Sequence, residues 1–166
     1  PAEIKVATDL FMGSVNTLTS VKGVEYLTNL TNFSFINSKV TSMDLSKNTK
    51  LSLILCPGNQ LTSLDVSKNK LLYDIDISDN KLTTLDVSKN TNLQYLYCGN
   101  NKLTSLDVSK NTQLAGLICN GNKLKSIDVS KNTELVYLYC YDNQISSLDL
   151  SKNTKLSNLY CSDNKL

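Results

Sequence analysis

The sequence predicts a mostly β repeat protein, a solenoid of stacked parallel strands. A 21-residue unit recurs at 30–50, 51–71, 72–92, 93–113, 114–134 and 135–155, and a fixed period in this range marks a stacked repeat architecture. Cys56, Cys98, Cys119, Cys140 and Cys161 are separated by 42, 21, 21 and 21 residues, with Ile77 in the skipped slot. Within each unit, apolar and polar residues alternate with a period of two, the pattern of a half-buried strand. The aligned copies read L-x-x-L-x-C-x-x-N-x-L-x-x-L-D-V-S-K-N-T-x, as in 93–113, and the copy at 135–155 departs only by Ile145 and Leu150.

In chain order, 1–29 reads as a partial N-terminal cap and a degenerate repeat. Residues 8–18 fit the template with Phe11 at position 4, Gly13 at 6, Asn16 at 9 and Leu18 at 11. Residues 1–7 are too few for a complete cap. The copy at 30–50 carries Phe33 and Phe35 where others have Leu and Cys, and Ser38 where others have Asn, which predicts a wider core layer there. In every regular copy positions 1, 4, 6, 11, 14 and 16 are apolar, as in Leu93, Leu96, Cys98, Leu103, Leu106 and Val108. Position 9 is Asn59, Asn80, Asn101, Asn122, Asn143 and Asn164. An amide directly after a strand is suited to satisfy backbone groups left open where the chain turns, so stacking predicts an amide ladder.

The return segment L-D-V-S-K-N-T alternates Leu106 and Val108 with Asp107 and Ser109, and is too short for two turns of α-helix. Ser109, Asn111 and Thr112 supply turn chemistry before the next copy. One copy cannot bury its own apolar stripe, so stacking makes the core. The strand of a truncated seventh repeat occupies 156–166, and with no cap at Asn164 to Leu166, exposed apolar surface is expected there. A start at Pro1 without Met and a stop inside a repeat read as a piece of a longer protein.

Composition narrows the function classes. Charged residues make up 19% of the chain and the net charge is +2, from interspersed Lys and Asp, which argues against a nucleic-acid partner. No apolar run approaches the roughly 18 residues of a membrane helix, so direct membrane insertion is not expected. Five cysteines is an odd count, leaving at least one free thiol unless it pairs between chains. Stacking puts neighbouring cysteines about 4.8 Å apart on parallel strands, whereas a disulfide wants Cβ atoms about 3.8 Å apart with a torsion near 90°. Thiols in a line cannot surround zinc, and the chain has no His. The cysteines are therefore read as buried free thiols acting as small apolar spacers, and no cofactor is expected.

These copies, with cysteine in the strand, L-D-V-S-K-N-T returns and the junction V-K-G-V-E-Y-L-T-N-L at 21–30, resemble a bacterial leucine-rich repeat protein of the internalin J type. The resemblance implies a curved right-handed coil with a parallel concave sheet and short extended or turn segments on the convex side. It also implies a secreted or wall-anchored protein of a Gram-positive bacterium, used for adhesion to host or neighbouring cells, and a monomer. No wall-sorting motif lies in the chain, so anchoring is implied by the resemblance alone.

In such a coil positions 3, 5, 7 and 8 face out from the concave sheet. Six of the eight tyrosines fall on these slots, all from Tyr95 onward, whereas the return-arm slots of Asp107 and Lys110 barely change between copies. Tyrosine offers large contact area with few torsions to freeze and a hydroxyl for hydrogen bonding. The candidate binding patch is thus Tyr95, Tyr97, Tyr137, Tyr139, Tyr141 and Tyr160 with Ile118, and Asp74, Asp76 and Asp79 form an acidic margin. The competing account is that tyrosine is a good strand former that stacks along a sheet. Calcium at the three aspartates is disfavoured, since it needs six to eight oxygens or so and neighbouring copies add no acids at these slots. Without His, a phosphate-binding Gly-rich loop or a paired-carboxylate cleft, catalysis has no support. Three readings follow: protein recognition through the tyrosine face, glycan recognition through it, or a passive stalk displaying another domain.

Overall fold

The computed structural model describes residues 7–166, so all but the last residue of the short cap segment at 1–7 lies outside it. Eight strands form one parallel sheet in chain order: β1 (Asp9–Ser14), β2 (Asn32–Ile36), β3 (Leu53–Leu55), β4 (Asp74–Asp76), β5 (Tyr95–Tyr97), β6 (Gly116–Ile118), β7 (Tyr137–Tyr139) and β8 (Asn158–Tyr160). Each strand from β3 onward covers positions 3 to 5 of its repeat. From β2 onward pairing joins residues 21 apart, as in Asp74 with Tyr95 and Tyr95 with Gly116. Because that offset equals the sequence period, the register passes from β2 to β8 without slipping. The return arms are turns and irregular extended segments, and a 3-10 helix at Val24–Tyr26 is the one helix among the described residues.

The apolar positions converge on a single core. Leu93, Leu96, Cys98, Leu103 and Val108 are fully buried and Leu106 nearly so, and the equivalent positions of other copies join the same cluster. Phe33 and Phe35 fill the layer at β2 with ring centroids 5.2 Å apart. The degenerate copy departs from the expected alignment. Leu10, not Phe11, pairs with Phe33, whereas Phe11 pairs with Ser34 on the outward side and is 61% exposed. The register shifts between Phe11 and Ser14, where Gly13 has a φ of 53°. A left-handed glycine accommodates one extra residue as a bulge, so the template holds after Gly13 and is displaced by one before it.

Two amide columns run through the stack. Asn101 Nδ2 donates to the carbonyls of Ile77, Cys98 and Gly99, and its Oδ1 accepts from Leu82 N–H at 2.9 Å. Asn80, Asn122 and Asn143 repeat this pattern, while Asn59 keeps the donor half with its Oδ1 unpartnered. The second column is deeper. Asn48, Asn69, Asn90, Asn111, Asn132 and Asn153, expected only as turn residues, are almost wholly buried. Asn111 Nδ2 donates to Val87 O at 3.0 Å and Asn90 O at 2.9 Å, while its own N–H and C=O close the tight turn with Val108 and Leu114. Outside the turn, Asp107 Oδ1 accepts from Ser109 N–H, and hydrogen bonds from Ser109 hold this carboxyl below the usual carboxylate range. Copies of that contact at Asp65, Asp86 and Asp128 explain why the D-x-S triplet of the return arm is nearly invariant.

Cys56, Cys98, Cys119 and Cys140 are buried and Cys161 is partly exposed, and all are free thiols. Burial pushes Cys98 up to about 12 and Cys140 up to about 11. A raised thiol pKa keeps the unreactive protonated form below that value, so raising the pH from 7 to 9 should not speed labelling of these residues in the folded chain. Mass spectrometry after iodoacetamide treatment is expected to show Cys161 modified first and the other four only on unfolding. Rapid modification of most thiols in the folded chain would overturn the buried ladder.

Candidate binding face

Positions 3 and 5 place side chains on the outer surface of the sheet. On β5 these are Tyr95 and Tyr97, on β6 Gly116 and Ile118, on β7 Tyr137 and Tyr139. Gly116 decides how the rings arrange. Rings two strands apart would stand about 9.6 Å from each other if upright, yet Tyr95 and Tyr137 stack with centroids 6.5 Å apart and planes 13° apart. Tyr137 leans across the space where Gly116 has no side chain, and a Cβ built there would overlap its ring. The tilt also brings the Tyr97 and Tyr137 hydroxyls to 2.7 Å. Tyr139 packs against Tyr137 at 5.7 Å and edge-on to Tyr160 at 4.6 Å. Five tyrosines therefore form a connected ring network over β5 to β8. Burial pushes both the Tyr97 and the Tyr137 hydroxyls above the usual phenol range, so both are neutral at physiological pH.

Beside the rings lies an open depression of 440 Å³ lined by Asp76, Ser78, Tyr97, Ile118, Tyr137 and Tyr139. Asp76 Oδ1 accepts from Ser78 N–H at 3.0 Å. Asp74 is half-buried, and its Oδ1 is inaccessible to water and has no hydrogen-bond partner. Burial, and secondarily the charge of Asp76, raise Asp74 to about 6. The acidic margin is thus an unneutralised pair set against aromatic walls.

Two predicted site residues stand apart from this cluster. Tyr141 is 37% exposed and lies beyond the ring contacts. Asp79 sits in the turn after β4 with a φ of 56°, and its carboxylate accepts from Asn100 Nδ2. Its slot, position 8, is Asn37, Gly58, Asp79, Asn100, Gly121, Asp142 and Asp163, and every one has a positive φ. Only Gly, Asn and Asp adopt that left-handed backbone readily, so backbone geometry accounts for the acid at 79. Reading down this slot in the sequence, with its restriction to three residue types, was the available signal. Gly116 and Ser78, missed as site residues, had a weaker one: small side chains interrupting a face of large ones.

Neither a protein-family model nor a curated protein matches the chain. Solved structures do. The functional domain of InlJ from Listeria monocytogenes, which includes a cysteine ladder, is 39% identical, with a TM-score of 0.81 over 98% of this chain. The chain spans 41% of that domain's length. Internalin C2 from Listeria monocytogenes superposes with a TM-score of 0.92 at 23% identity, covering 99% of this chain and 75% of its own. Internalin InlF of the same species gives 0.81 at 24% identity, covering 91% and 47%. At those identities the last two show the shared fold alone.

Proposed function

Since the chain is a leucine-rich repeat protein of the internalin J type, we propose that it is a non-catalytic recognition module of a bacterial surface protein, secreted or wall-anchored, that adheres to a protein on a host or neighbouring cell. The observation carrying this reading is the Tyr95–Tyr97–Tyr137–Tyr139–Tyr160 network, a partly exposed aromatic surface on an otherwise uniform scaffold. Aromatic anchors at the centre of a protein interface carry a large share of its binding energy, and packed rings present contact area already ordered before binding. Tyr26, Tyr73 and Tyr141 take no part in the network. An internalin-like leucine-rich repeat fold is itself in keeping with a protein-binding role.

The test replaces Tyr97, Tyr139 and Tyr160 together by Ser and compares capture of surface proteins from biotinylated cells. The native chain is expected to retain a protein that the variant loses by about 30-fold or more, the loss of one or two anchor residues, while circular dichroism shows the fold intact. Retention by the folded variant would sink the tyrosine face. A glycan array positive where no protein is captured would move the reading to surface sugars. If neither finds a ligand and a scrambled concave face leaves the parent protein working, the module is a stalk.

A further inference from the structure

Two carboxylates project from β4 on the concave side without a counter-charge. Asp74 and Asp76 are half-buried, and the ion pair among the described residues, Lys155 with Glu134, lies elsewhere. A carboxylate withdrawn from water without a partner is costly, and Asp74 Oδ1 has neither water access nor a donor. Across the depression stand the rings of Tyr97, Tyr137 and Tyr139, with Ile118 between them. A tyrosine face carries negative quadrupole charge and attracts cations. The carboxylate and the rings of this depression therefore favour a positive group, and Ile118 favours one with an apolar stem.

We propose that the depression between β4 and β7 receives an arginine side chain of the partner protein, its guanidinium against the Asp76 carboxylate and the tyrosine rings, its methylene stem over Ile118. This rests on the recognition reading above and names the chemistry that face selects. A guanidinium is planar, so it stacks on a ring while its edge donates two parallel hydrogen bonds to a carboxylate, which an ammonium cannot do. It is also the more weakly hydrated cation and gives up water with less loss. Asp76 is suited to the contact because Ser78 N–H already fixes one of its oxygens. Asp74, two residues earlier on the same face of β4, supplies a second negative charge beside it.

The test titrates the chain with N-acetyl-arginine methylamide and follows tyrosine ring signals by NMR. The uncharged citrulline and the cationic lysine analogues serve as comparisons. Saturable shifts at Tyr97, Tyr137 and Tyr139 are expected with arginine. Asp76→Asn, which keeps an acceptor for Ser78 N–H, should weaken them about tenfold, the value of a charge-assisted hydrogen bond. Citrulline or lysine binding as tightly as arginine, an unchanged Asp76→Asn titration, or shifts confined to other residues would each overturn the assignment. The two proposals fail separately. Arginine binding that depends on Asp76 stands even if the triple tyrosine variant keeps every cell-surface partner. Conversely, a partner lost by that variant but bound normally by Asp76→Asn, with no arginine saturation, removes the arginine site and leaves the face.

Discussion

Asn111→Ala is expected to lower the free energy of unfolding by about 2–5 kcal/mol, the loss of donors to two buried carbonyls. Asn111 is wholly buried, and its amide is the side-chain donor to Val87 O and Asn90 O. Alanine removes the second donor from each oxygen, leaving only the backbone N–H groups of Asn90 and Leu93, and opens a cavity where the amide was packed. Asn111→Asp should be worse, since it sets a carboxylate against two carbonyl oxygens in the interior. Asp107→Ala, four residues earlier and solvent-facing, removes one exposed turn contact and is expected to cost about 1 kcal/mol or less. Urea denaturation followed by circular dichroism separates these cases. A total stability of about 5–15 kcal/mol is usual for a domain, so the buried asparagines dominate any ranking of polar substitutions here. A loss below about 1 kcal/mol at Asn111 would mean that the backbone donors from Asn90 and Leu93 alone satisfy those carbonyls.

Gly116→Leu is expected to do the opposite: leave the fold standing and dismantle the tyrosine network of the proposed binding face. Gly116 opens β6, paired with Tyr95 and Tyr137, outside the set of residues with positive φ. The backbone therefore accepts a side chain, and leucine is a better strand residue than glycine. The new side chain occupies the space over which Tyr137 lies. Tyr137 must rotate away, the hydroxyl contact with Tyr97 breaks, and the depression changes shape. Two readouts follow. Burial now holds the Tyr137 hydroxyl above the ordinary phenol range, so exposing it lowers the pKa and increases phenolate absorbance at pH 11. Partner affinity should fall at least about tenfold, a single anchor's worth, with the unfolding midpoint unchanged or raised. Unaltered tyrosine titration would show that the ring network does not depend on the gap.

The fold was legible because the same 21-residue unit specifies strand, turn and neighbour at once. Cys98 marks an inward side chain, Tyr97 beside it is then outward, and the period carries both statements through every copy. What escaped the sequence reading lay where a residue serves a purpose that its type does not announce. Asn111 reads as a turn former because asparagine favours turns, and it does close one, but its side chain reaches back into the preceding repeat. Gly13 looks like a weak core position until its left-handed backbone inserts a bulge and turns Phe11 outward. On the tyrosine-bearing face, period-two alternation correctly separates the two sides of the sheet. It says nothing of how rings lean within a side, and that is set by a missing side chain on the intervening strand.

The side-chain amides of the deeper column point their donors toward the repeat already behind them in the chain. Asn69 reaches Leu45 and Asn48, Asn90 reaches Val66 and Asn69, and Asn132 reaches Val108 and Asn111. A chain emerging from the ribosome makes these repeats in that same order. Each newcomer carries the amide that adds a second donor to its predecessor's turn, so the last repeat made is the one whose turn carbonyls rest on backbone donors alone.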